Sequence, residues 1–224
     1  MSKLETESLS SPTLPETLKL KPLLTRMSQA SLKERLNSNL KYILASLESF
    51  SNLESREFQN TRRNQLHEQL LDTFDVFSPH VEIDYFLKRL IDCGQQIQSM
   101  HGLQDIALKC YTKFNQISLQ NQCTDLVLIT KCKNGMLMCA FLNLRSSDPY
   151  FKSSATISKL LEILDGFIAL IDSCTDKIVA KCMFDSTWNI YNICTDMTTY
   201  GLHKQVFIFN LVYSLSFRLI GCVN

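Results

Sequence analysis

Tyr85-Phe-Leu-Lys-Arg-Leu-Ile-Asp-Cys-Gly94, followed by His101-Gly102 and then Asp105-Ile-Ala-Leu-Lys-Cys-Tyr111, is the stretch that decides the fold. Before Gly102, the apolar residues Ile83, Phe86, Leu87, Leu90, Ile91 and Ile97 recur at helical spacing, which predicts a helix over about 80–100. After it, Ile106, Ala107, Cys110, Tyr111, Phe114 and Ile117 repeat the pattern over about 103–121. Gly102 suits the left-handed position that ends a helix. The link between the two runs is very short, so they are expected to form an antiparallel hairpin.

The same reading extends outward in both directions. Upstream, Leu32, Leu36, Leu40, Ile43, Leu44 and Leu47 form a stripe over about 28–50, with Ser28 or Ser31 available as cap. A second helix, about 56–76, carries Phe58, Leu66, Leu70, Phe74 and Phe77 on one side. Its other side is Arg62, Arg63, Asn64, His67 and Glu68, a solvated face. Residues 1–27 are rich in Ser, Thr, Leu and Pro without a sustained period and read as a disordered leader. The helical hairpins then span 28–121.

Downstream, 122–152 reads as an irregular connection. Asp125-Leu-Val-Leu-Ile-Thr130 and Met136-Leu-Met-Cys-Ala-Phe-Leu142 flank Lys133-Asn-Gly135. Asn-Gly between apolar runs signals a short β-hairpin near 125–142, and a short apolar run equally suits a buried helix. Both readings stay open. Residues 153–224 read as a helical-repeat segment, with helices over about 153–173, 176–200 and 202–220 and Gly201 as a second turn glycine. The chain stops at Gly221-Cys-Val-Asn224 without a polar capping repeat, so this segment is expected to be incomplete.

Composition excludes several classes. The 224 residues are 45% hydrophobic, enough for a sizeable core, and carry 23 basic against 22 acidic side chains. A formal net charge of +1 offers nucleic acid no general attraction. Six Gly and five Pro, three of the latter before residue 23, favour long helices over many-turned β structure. Nine cysteines, an odd number in a chain with no secretory leader and no Asn-x-Ser/Thr sequon, read as core thiols of a reducing compartment.

Chemistry-bearing motifs are lacking. No Cys-x-x-Cys occurs, and Cys194 with His203 across the last turn is a poor metal pair beside the reading of core cysteine and surface histidine. No nucleophile elbow, phosphate loop or zinc-protease helix is found, and Glu162 with Asp165 reads as a solvated helix face. The expectation is a non-enzymatic protein with no cofactor, no metal and no small-molecule substrate. Val206 to Ile220 is apolar but shorter than the roughly 20 residues a span needs and is interrupted by Asn210 and Arg218. A membrane anchor over 203–222 is the alternative reading.

Tetratricopeptide-like units place small residues where helices touch and aromatics between pairs. Aligned on the turn, Gly102, Ala107, Tyr111 and Phe114 take the turn, small, aromatic and packing positions, and Gly94 falls one residue from the small position of the first helix. Around Gly201, Ile190, Ile193, Cys194 and Met197 face Val206, Asn210 and Tyr213 in a weaker match. The expected fold is therefore all-α: antiparallel hairpins stacked as a degenerate tetratricopeptide-like solenoid. The helix-packing residues are Gly94, Gly102, Ala107, Tyr111, Phe114, Ile190, Cys194 and Gly201. An ordinary hairpin in an irregular bundle remains the other reading of these positions.

Two stretches carry a wider likeness. From about Leu66 to Tyr213 the chain resembles the N-terminal region of the cilia- and flagella-associated protein 54 family, first through Tyr85–Gly94 and Asp105–Tyr111. The second and more distinctive stretch is Cys182-Met-Phe-Asp-Ser-Thr-Trp-Asn-Ile-Tyr-Asn-Ile-Cys194, followed by the Gly201 turn. The resemblance implies a structural role in a projection of the axonemal central apparatus, with other central-apparatus proteins as partners. It implies the cytoplasm and the ciliary or flagellar axoneme as location, and a part in ciliary and sperm motility. It brings no catalytic residues, and this chain is far shorter than the family.

Overall fold

A computed structural model describes residues 23–51, 56–100 and 102–147, with scattered helical positions between 154 and 199. Among the described residues there are five helices and no strand: α1 (Gln29–Ser51), α2 (Arg56–Phe77), α3 (Ile83–Gln98), α4 (Gln104–Gln120) and α5 (Leu126–Ser147). The chain is all-α as far as it is described.

Local chemistry sets the ends. Ser28 caps α1, its Oγ accepting from the Ser31 amide at 3.3 Å. Gly102, at φ +75°, makes the left-handed turn between α3 and α4, with open space around it. α4 closes with a Schellman pattern: Cys123 N–H donates to Ser118 O (2.9 Å) and Gln122 N–H to Leu119 O (3.3 Å). Gln122 sits at φ 50°, a left-handed position taken here without glycine.

Two sequence expectations are corrected. The stretch read as an irregular connection is mostly the helix α5, so of the two readings left open near 125–142 the buried helix holds and the β-hairpin does not. Asp125 is its N-cap, with Oδ1 accepting from Leu128 N–H at 3.0 Å. Cys132, Gly135 and Cys139 then fall on one helical face and are all buried. Asn134-Gly135 lies inside the helix rather than in a turn. The leader read over 1–27 does not reach its last residues either: Leu24 is only 1% exposed and belongs to the core.

Packing alternates between two layers. α1 pairs with α2, α3 with α4, and α5 lies against both α3 and α4. Within one layer, α1 meets α3 along a polar stripe at i, i+4, i+8. Gln29 donates to His80 O (2.8 Å) and accepts from Glu82 N–H (3.0 Å). Lys33 pairs with Glu82 and lies 4.8 Å from the Tyr85 ring centroid, and Asn37 donates to Tyr85 Oη at 2.7 Å. In the other layer, Arg63 of α2 pairs with Asp105 of α4, and Asp75 pairs with Lys113. Both sets of contacts advance in the same chain direction, so α1 runs parallel to α3 and α2 to α4. These ion pairs are partly exposed, so each contributes at most about 1 kcal/mol. Their value is in setting register. The stability comes from the continuous apolar core, which runs from Leu24 through Leu40, Leu66, Phe74, Phe86 and Ile106 to Phe114, with Phe74 and Phe86 edge to face at 6.0 Å.

Candidate functional site

Of the sequence-predicted packing residues, Gly94 and Tyr111 come together where α3, α4 and α5 meet. Tyr111 of α4 is fully buried, and its ring lies against a glycine of each neighbouring helix. A Cβ at Gly94 of α3 would stand 2.8 Å from Tyr111 Cε1 and 2.9 Å from Cζ. At Gly135 of α5 it would stand 2.2 Å from Cζ and 2.5 Å from each Cε. Real Cβ atoms do not come so close, so the missing side chains are what lets the three helices share one ring. The phenol is satisfied in place, with Oη donating to Gln98 Oε1 at 2.8 Å. The Tyr111 carbonyl in turn accepts from the Cys132 thiol at 3.3 Å.

Ala107, one turn before Tyr111 on the same face, is 0% exposed, and Phe114 is buried beside them. Gly102 is exposed in the turn and touches no side chain. Gly135 was not singled out in the sequence as a packing residue, because Asn-Gly between apolar runs reads as a turn. Its local signal was the Asp125 cap combined with the spacing of Cys132, Gly135 and Cys139. Ile190, Cys194 and Gly201 lie outside the described residues, as do Cys182, His203 and the apolar 206–220 stretch. Glu162 and Asp165 are described, and both are exposed helical positions.

Four thiols, of Cys93, Cys110, Cys132 and Cys139, are buried in this region. Burial pushes the Cys93, Cys132 and Cys139 thiols up to about 12, and that of Cys110 well above its usual value. Arg89 and Lys133 oppose the shift at Cys93 and Cys132 only weakly. The Tyr111 phenol is raised for the same reason. Such thiols stay protonated at neutral pH and act as small hydrophobes rather than nucleophiles.

A stability prediction follows from the sign of these shifts. A thiol titrating near 8.5 when unfolded and near 12 when folded contributes its full stability below pH 8.5. That contribution is lost as pH rises toward 12, because the unfolded chain gives up its proton first. Each thiol costs up to about 1.4 kcal/mol per pH unit in this window. Denaturant midpoints should be flat from pH 7 to 8 and fall steeply from 9 to 10.5, with Cys93→Ala shallower than the parent. Equal midpoints at pH 8 and 10.5 would contradict the burial of these groups.

Among the described residues, no group of three or more His, Cys, Asp or Glu could hold a metal ion. No described helix is long and apolar enough to cross a membrane. What the geometry defines is a junction built for helix-on-helix contact. No family model, no curated protein and no solved structure matches the chain.

Proposed function

We propose that this chain is a non-enzymatic scaffold that works by stacking helices, part of a degenerate helical-repeat solenoid in the motile axoneme. The observation that carries the stacking half of this reading is the position of α5. It lies against both helices of the preceding hairpin and seats Gly135 on Tyr111, so the α3–α4 hairpin is completed by the helix that follows it. The parallel pairs α1/α3 and α2/α4 support the same view, because helix-pair repeats stacked in one direction place equivalent helices side by side. The step from Gln29 to Ile83, and again from Ile83 to Leu126, exceeds the roughly 34 residues of a tetratricopeptide unit. The repeats would therefore be longer and irregular, consistent with the absence of a fixed period in the sequence.

The axonemal setting and the central-apparatus partners rest on the resemblance of Tyr85–Tyr111 and Cys182–Cys194 described above. Expressed with a tag in ciliated cells, the protein should stay with detergent-extracted axonemes and leave only in strong salt. Complete release by mild detergent alone would overturn the axonemal reading. The stacking reading has a separate test in the substitutions at the Tyr111 junction.

A further inference from the structure

The α2–α4 seam holds a titratable group that the packing junction does not use. His67 lies one turn after Arg63 on α2, and its Nε2 is buried without a hydrogen-bond partner. Arg63 is paired with Asp105 of α4, and Lys109 follows Asp105 by one turn. Further along the seam, Asp75 meets Lys113. The charges acting on the imidazole are Asp105 and Lys109 from α4, and Arg63 and Glu68 from its own helix. The carboxylate that acts on the ring from across the seam, Asp105, is already engaged by Arg63. Glu68 is the next residue on α2 and is exposed, so its charge is screened by solvent.

We propose that His67 is a proton-operated release in the seam between the first hairpin and the second. Neutral, the imidazole fills the seam as a half-buried apolar ring and lets α2 lie along α4. Protonated, it places a cation among Asp105, Lys109 and Arg63, in a site that gives its Nε2 no acceptor and little water. The favourable way to accommodate that charge is to part α2 from α4, which opens the buried Nε2 to water. Burial, the largest influence on the ring, is what separation relieves, and it outweighs the attraction to Asp105 that is given up.

The direction of the shift agrees. Burial holds the His67 pKa below its ordinary value; Asp105 opposes this, and Lys109 and Arg63 reinforce it. A depressed folded pKa means that the contribution to docking is present above about pH 6.5 and lost as pH falls through the folded value.

Hydrogen exchange on the intact 224-residue chain, corrected for the intrinsic pH dependence of amide exchange, tests this. On going from pH 7.5 to 5.5, protection over 61–77 should drop several-fold more than protection over 86–97. His67→Leu, which keeps the ring-sized apolar filler and removes the proton, should hold its protection at pH 5.5. An equal loss in His67→Leu, or no selective loss in the parent, overturns the proposal. If that variant fails to fold, the imidazole C2 proton of the parent decides the matter by NMR: a midpoint below 6.5 supports the release, and one at or above 6.5 overturns it.

Discussion

Gly135→Ala should destabilise the protein by about 2 kcal/mol or more, the opposite of what the exchange does at an ordinary mid-helix glycine. Replacing Gly with Ala inside a helix normally gains about 1 kcal/mol, because Ala fixes less backbone entropy. At Gly135 the added methyl would stand 2.2 Å from Tyr111 Cζ. The ring cannot swing away, because its other contact is Gly94 and its hydroxyl is held by Gln98. Either α5 moves outward or Tyr111 leaves its rotamer, and overpacking of this kind costs about 1–3 kcal/mol, occasionally more. The sign of the change is thus the readout. Thermal or denaturant unfolding of Gly135→Ala, Tyr111→Leu and the double variant would measure it. The double variant should lose clearly less than the two single losses added together, since the smaller side chain makes room for the methyl. A Gly135→Ala protein more stable than the parent would mean that α5 does not seat on Tyr111.

Ala107→Arg should be the more damaging change. Ala107 has no exposed surface and lies one turn from Tyr111 on the buried face of α4, the helix whose largest contact is with α3. A guanidinium there adds volume to a filled site and brings a charge into an apolar region. Asp105, the nearest acid in sequence, is itself exposed and already paired with Arg63. Overpacking and an unpaired buried charge together cost on the order of 4 kcal/mol or more, a large share of the 5–15 kcal/mol that holds a typical domain together. The melting transition should drop by roughly 10 °C or more, or disappear, whereas Ala107→Ser should move it only slightly. An Ala107→Arg variant that melts with the parent would show that α3 and α4 do not close over this position.

Both predictions turn on the part of the structure that local sequence conveys unevenly. The first four helices were readable, with boundaries within one to three residues, because each has a one-sided apolar stripe and a chemical stop such as Ser28 or Gly102. The buried face of α4, from Ile106 to Ile117, follows directly from that stripe. α5 was not readable in the same way. It is apolar over much of its circumference, so no single face stands out, and Gly135 imitates a turn glycine. The residue that explains this glycine, Tyr111, lies on the preceding helix, beyond the reach of a local window. A local window cannot register a contact made by the absence of a side chain. The same holds for Gln29, Lys33 and Asn37. They look like a solvated stripe on α1, and only the fold shows that they grip the start of α3.

The order in which the helices touch has a consequence for how the molecule comes into being. The main contacts among the described helices join neighbours in sequence, α1 with α2, α3 with α4 and α4 with α5, and connections of a few residues keep those partners near. Little loop-closure entropy opposes any single docking step, which favours fast assembly from neighbouring pieces. During synthesis α1 and α2 can associate before α3 has left the ribosome. The α3–α4 hairpin can then wait with the ring of Tyr111 half covered until Gly135 emerges to close it. Growth from the N-terminus in this way would leave only the newest edge exposed at any moment, which limits misassembly while the polypeptide is being made.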